Sequence, residues 1–211
     1  MISLFIFRSN SRGMQYGIGT YINELTQSLL HLPYINIFLV SYNNSEYKEF
    51  SVKPVSERFT EIIIPAPHLP SAHSNSSEKR YSSAVVKILS SLIPKKGKVV
   101  FQINYIDDLE IAIKLKESYN YPVISIVHFA QWQQIFEGNR KKLTGLNIDE
   151  PANNIEFTLS KEKEMYKVSD HIVSVTQYMK DFLVNQYGIS SEKLSVVPNG
   201  LDYTKFKRIS E

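Results

Sequence analysis

Apolar runs and amphipathic stretches alternate along the whole chain. Ile2–Phe7 is a continuous β-prone run and predicts a buried strand. A helix follows from near Gly19 to about Leu32. Its apolar positions Ile22, Leu25, Leu29 and Leu32 step by three and four, and Pro33 ends it. Ile35–Val40 predicts a second strand. The polar, mixed stretch 41–56 predicts a loop, and Glu61–Ile64 a third strand closed by Pro65 and Pro67. Ala66 to Lys79 has loop composition, and Arg80–Leu92 a helical stripe of Val85, Ile88, Leu89 and Leu92. Val99–Ile103 predicts a strand. Asp107 then opens a helix to about Ser118 with Glu110 as its capping-box partner. Pro122–His128 predicts a strand. Phe129 to Asn154 shows no clean period and predicts a long loop, a class that is usually functional or mobile. Ile155–Val168 (helix), Asp170–Val175 (strand), Gln177–Tyr187 (helix, stopped by Gly188) and Leu194–Val197 (strand) complete the order. Pro198-Asn199-Gly200 breaks the chain, and 201–211 reads as a linker.

This alternation predicts an α/β fold: a Rossmann-like, doubly wound parallel sheet with helices on both faces. Ligands of such sheets bind beyond the C-terminal strand ends. The turn Gly13-Met14-Gln15-Tyr16-Gly17-Ile18-Gly19-Thr20, His128 and Pro198-Asn199-Gly200 all follow predicted strands, which puts them on one edge. In the turn, glycines permit close backbone approach, and the helix that follows offers free N–H groups to an anion.

Composition narrows the partners. A net charge of +3 over 211 residues gives no reason to expect nucleic acid. With no cysteine there is neither a disulfide framework nor a thiolate metal site. No apolar run approaches the roughly 18 residues that span a bilayer, so a cytoplasmic location is the default expectation. Lys95, Lys96 and Lys98 read as a solvated turn. Lys79, Arg80 and the aromatic-rich loops suggest peripheral membrane contact without establishing it.

Two phosphate-binding patterns fail. Gly17-Ile18-Gly19 supplies G-x-G, but Ile22 stands where a dinucleotide site has its third glycine. No acid follows the second strand, where the sequence reads Val40-Ser41-Tyr42-Asn43-Asn44. A Walker loop is missing as well, because no Lys-Ser/Thr follows Gly13 or Gly17.

Read together, the two ends of the chain resemble glycosyltransferase family 4, whose members have the GT-B fold. Gly17 through Leu25 is similar to the family's glycine pair and the helix that follows it. Ser169-Asp170-His171-Ile172-Val173-Ser174-Val175-Thr176 is similar to its "A-D-x-I-I-x-V-S" segment. Tyr187-Gly188-Ile189 and Glu192 through Asp202 resemble "Y-G-V-x-x-x-K-V-x-V-I-P-N-G-V-D". Val127-His128 resembles the family's "H-D" position, with Phe129 in place of the acid.

The resemblance implies residues 1–200 as an N-terminal, acceptor-side domain and 201–211 as the start of an interdomain linker, with the donor-binding C-terminal domain absent. It implies retaining transfer of a sugar from a nucleotide-sugar donor to a glycan or lipid-linked acceptor, in cell-surface polysaccharide synthesis, with no cofactor and no metal. This fragment alone is expected to be inactive. By position, Gly17 and Gly19 would approach the donor phosphates and His128 would be catalytic. Tyr16 and Trp132 would be acceptor-side candidates, and Asn199 and Gly200 would shape the domain-boundary turn. The alternative is a non-catalytic module that binds a glycan or a partner.

Plainer readings stand beside these. The glycines could serve only to pack helix on strand, and His128 could be a polar cap on the sheet edge. Trp132 could stack on a sugar or fill the domain surface. His68 and His73 share a loop but lack the further ligands a metal needs. Asp107, Asp108 and Glu110 read as helix N-terminal acids.

Overall fold

The computed structural model describes residues 1–9, 17–44, 46–67 and 75–200; the side chains of Asn44 and Asn75 are not described. Eight strands form one sheet: β1 (Ile2–Ser9), β2 (Ile35–Asn44), β3 (Ser51–Ser56), β4 (Phe59–Pro65), β5 (Lys98–Ile103), β6 (Val123–Val127), β7 (His171–Ser174) and β8 (Leu194–Val196). Their spatial order is β3-β4-β2-β1-β5-β6-β7-β8. Every pairing is parallel except β3 with β4. The helices are α1 (Gly17–Leu29), α2 (Asn75–Leu89), α3 (Leu109–Ser118), α4 (Gln131–Ile135), α5 (Asn154–Val168) and α6 (Gln177–Tyr187).

The sheet's pleat sorts the core into two faces. On one face Ile6, Ile37 and Leu39 meet Ile22 of α1, with Leu25, Leu29 and Leu32 packed behind it. On the other, Phe5, Phe7 and Phe101 meet Val85 and Leu89 of α2 and Ala112 and Leu115 of α3. Val127, Ile172 and Leu194 share the Phe101 face by register. They pack with Leu159 and Tyr166 of α5 and with Phe182 and Leu183 of α6.

Local chemistry sets the element ends. Just past the end of α1, Arg58 takes up the turn's carbonyls, donating to the carbonyl oxygens of Leu30 at 2.6 Å and of Leu32. Asn153 caps α5 by accepting from the N–H groups of Ile155 and Glu156 at 3.0 Å each. Gly188 ends α6 at φ 66°, ψ 26°, the left-handed conformation that the predicted stop requires.

The structure corrects four sequence expectations. The predicted loop 41–56 contains the end of β2 and the whole of β3. β3 is an antiparallel edge strand with Pro54 inside it, and proline is tolerated there because an edge strand has N–H groups with no ladder partner to lose. α2 begins at Asn75, ahead of the expected Arg80. Asp107 does not cap α3; a 3₁₀ turn at Ile106–Asp108 precedes the helix, and neither Tyr105 nor Asp108 makes a side-chain cap bond. The long stretch after β6 holds α4 and a 3₁₀ turn at Arg140–Leu143.

Candidate functional site

The strand order reverses direction at β1. The chain runs from β1 through α1 to β2 on one side, whereas β5 pairs with the other side. In open α/β sheets the crevice at the carboxyl ends of two such strands is where ligands bind. Here a cavity of about 160 Å³ lies at that edge. α1 contributes Ile18, the chain after β5 contributes Asn104, Tyr105, Ile106 and Asp107, the end of β6 contributes Ile126, His128 and Phe129, and α4 contributes Gln131 and Gln134.

His128 is the most unusual group in this cavity. Its ring stands edge-on to Tyr21 with centroids 4.7 Å apart, and its Nε2 is buried without a hydrogen-bond partner among the described residues. Burial lowers its pKa to about 4, so the imidazole is neutral at physiological pH. A buried, unpaired ring nitrogen costs stability until a partner reaches it. The hydroxyl of Tyr105, a residue 8% exposed, is likewise buried without a partner among the described residues. The Asn104 amide is fixed in place: it donates to the Phe7 carbonyl oxygen at 3.1 Å and accepts from Gln102 Nε2 at 3.1 Å.

Among the described residues, a Cβ built at Gly17 meets nothing within 4 Å, and no acid occupies the first turn of α1 to neutralise its N-terminus. Packing against the described residues therefore does not require a glycine at position 17. Gly17→Ala is expected to change unfolding free energy by less than about 1 kcal/mol, toward greater stability. A loss of more than that in urea titration would mean that the chain itself needs the glycine.

The loop carrying His128 is held from below. Glu162 of α5 is fully buried; its Oε1 accepts from Gln131 N at 3.0 Å and from the Tyr166 hydroxyl at 3.1 Å, and its Oε2 from the Tyr187 hydroxyl at 2.7 Å. Burial raises its pKa, and the tyrosine and backbone donors draw it partly back. This carboxylate fixes the first residue of α4, three positions after His128. It lies in a heptad-like run of alternating Lys and Glu, Lys161 to Glu164, so nothing local marks it as buried. A second acid, Asp108, stands at the N-cap position of α3 as the sequence predicts for a helix N-terminal acid, but it is buried. Asp108 is 5% exposed. Burial, with the neighbouring Asp107 and Glu78 charges, raises its pKa to about 7, while Tyr42 and Ser9 oppose the shift.

The other expected site residues fall as follows. Trp132 does not face the cavity. It is 2% exposed and lies against Phe182, with ring centroids 5.2 Å apart, because α4 turns its apolar side into the core formed with α5 and α6. The domain-filling reading replaces sugar stacking there. Gly19 is buried within α1 and Gly17 is exposed at its start. Asn199 and Gly200 are exposed beyond β8. Four strand spacings separate β8 from β1, roughly 19 Å, so this turn shares the edge but not the cavity. Tyr16, His68 and His73 lie outside the described residues. Among the described residues no group of three or more acids and histidines could hold a metal ion, and no helix is long and apolar enough to cross a membrane.

Comparison with known proteins places the fold and the edge in context. The family model for Glycosyltransferase Family 4 matches residues 16–205. The chain belongs to glycosyltransferase family 4. No curated protein sequence matches it. Among solved structures, sucrose-phosphate synthase from Thermosynechococcus elongatus superposes with a TM-score of 0.68 at 13% identity, over 97% of this chain and 49% of that one. An α,α-trehalose-phosphate synthase (UDP-forming) from Burkholderia vietnamiensis gives 0.55 at 10% identity, over 94% and 48%. A UDP-N-acetylglucosamine 2-epimerase gives 0.59 at 9% identity, over 94% and 48%. At these identities the likeness shows the fold alone. This family 4 chain has the Rossmann-like architecture found in one half of a GT-B protein, and it spans about half the length of these structures.

Proposed function

We propose that this chain is the acceptor-side half of a retaining glycosyltransferase. The enzyme moves a hexosyl group from a nucleotide-sugar donor to a hydroxyl of a glycan or lipid-linked acceptor in cell-surface polysaccharide synthesis. The observation that carries this reading is the cavity at the carboxyl edge of the sheet, lined by His128 and by Ile18 at the start of α1, in a chain of family 4. Residues 1–200 form the N-terminal domain and 201–211 begin the linker to a donor-binding domain. That second domain holds most of the nucleotide, and the start of α1 at Gly17 and Gly19 lies against the donor phosphates. Neither metal nor cofactor is required in this scheme, because helix N-termini and cationic side chains stabilise the leaving diphosphate. The enzyme works at the cytoplasmic side, in peripheral contact with the membrane.

His128 acts by hydrogen bonding. A base with a pKa near 4 is poorly matched to taking a proton from an alcohol at neutral pH. A neutral imidazole with a free ring nitrogen can instead donate to, or accept from, a sugar hydroxyl and fix the acceptor against the donor carbon.

The test is product analysis with the complete protein and a panel of nucleotide-sugars. Release of nucleoside diphosphate together with a new glycosidic bond, its anomeric configuration retained by NMR, is the expected result. The 211-residue chain alone should give no measurable transfer. Epimerisation of a donor without transfer, as the name of one structural neighbour suggests for that protein, would contradict the proposal.

A further inference from the structure

The polar groups around the cavity carry information about the acceptor itself. Asp107 lines the cavity and is exposed. Gln131 and Gln134 of α4 also line it, three residues apart on one helix face. His128 and Tyr105 complete the polar lining; the His128 Nε2 and the Tyr105 hydroxyl are buried and have no partner among the described residues. Among the described lining residues there is no lysine or arginine. Ile18, Ile106, Ile126 and Phe129 supply the apolar remainder.

Each of these polar groups has the chemistry of a hydroxyl partner. A carboxylate accepts from a sugar O–H, an amide donates and accepts, and a neutral imidazole and a phenol do both. A phosphate needs the reverse: cationic forks or converging N–H donors. Asp107 opposes a phosphate by direct repulsion. Mixed apolar and amide walls match a pyranose, which presents C–H faces and hydroxyl edges together.

We propose that this cavity takes the uncharged hydroxyl edge of a terminal sugar on a glycan or glycolipid, and that Asp107, Gln131 and Gln134 select it against a phosphorylated monosaccharide. The inference rests on the acceptor-side reading above. It separates this chain from the structural neighbours whose names specify phosphorylated sugar products.

Ligand-observed saturation-transfer NMR on the complete protein tests it. The probes are the methyl glycosides of glucose, galactose, mannose and N-acetylglucosamine, each against its 6-phosphate. At least one methyl glycoside is expected to bind, to lose its signal in His128→Phe, and to bind about tenfold more tightly than its 6-phosphate, the scale of repulsion between a doubly charged phosphate and one solvated carboxylate. Asp107→Lys should narrow or reverse that ratio. A 6-phosphate that binds as well as or better than its neutral partner in the wild type, with both signals lost in His128→Phe, would overturn the inference and leave the acceptor site standing. Absence of binding by every probe, or binding indifferent to His128→Phe, would overturn the acceptor-side reading and this inference with it.

Discussion

Glu162→Ala should lower the unfolding free energy by about 3–5 kcal/mol, the range for removing one partner from a buried, fully bonded charged group. Three donors converge on this carboxylate: the Tyr166 and Tyr187 hydroxyls and the Gln131 N–H. Both tyrosines are almost completely buried, at 1% and 2% exposure, so their hydroxyls cannot turn to bulk water once the acceptor is gone. Each orphaned donor costs about 1–3 kcal/mol. Glu162→Gln keeps one acceptor oxygen and the side-chain volume, and should lose less than half as much. The damage should also reach the cavity, because Gln131 N is the link between Glu162 and the loop that carries His128. Denaturant midpoints measured for both variants check this. An alanine variant within about 1 kcal/mol of wild type would show that the tyrosines find other partners.

The second large effect is a pair of opposed pH dependences. His128 has its pKa lowered from 6.5 to about 4. The unfolded state therefore binds more protons between those values, and stability falls as pH drops through that window. At about 1.4 kcal/mol per pH unit, His128 accounts for about 3 kcal/mol. Asp108 has its pKa raised from 3.8 to about 7. The folded state holds the extra proton in that window, so stability rises as pH drops, by up to about 4 kcal/mol on the same scale. The two nearly cancel in the wild type. Glu162, also raised by burial, adds in the Asp108 sense; Asp149 and Glu156, lowered by Lys163 and by backbone donors respectively, add in the His128 sense. Differences from wild type isolate the pair. Between pH 7 and pH 4, His128→Gln should gain stability on acidification and Asp108→Asn should lose it. If both variants keep the wild-type slope, neither group is perturbed as the buried environment requires.

Much of the fold could be read from local patterns because its central elements carry clean periods. The β1 run, the α1 stripe from Ile22 to Leu29, and α6 with its Gly188 stop each depend on neighbouring residues alone. β3 could not be read that way. Five of its six residues are exposed, so no burial alternates along it, and Pro54 argues against a strand unless the strand is known to lie on an edge. α4 is five residues long, too short for a helical period, and its start is bonded to a carboxylate thirty-one positions later. The candidate site divides along the same line. His128 was visible as a histidine at a strand end. Asp108 looked like an ordinary helix-start acid, because its burial comes from Ser9 and Tyr42, on strands distant in sequence. For Trp132 the sequence leaves sugar stacking and domain filling equally open, because aromatic character says nothing of which way a five-residue helix faces.

The proposed function predicts that an acceptor hydroxyl meets a nucleotide-sugar at the crevice lined by the neutral His128. The most direct measurement is the rate of nucleoside diphosphate release by the complete protein with its acceptor, for wild type and His128→Ala, with matched circular dichroism to confirm folding. Loss of a positioning hydrogen bond at the reacting hydroxyl predicts a fall in kcat/KM of about 100-fold. A folded His128→Ala variant that transfers sugar at the wild-type rate would contradict it.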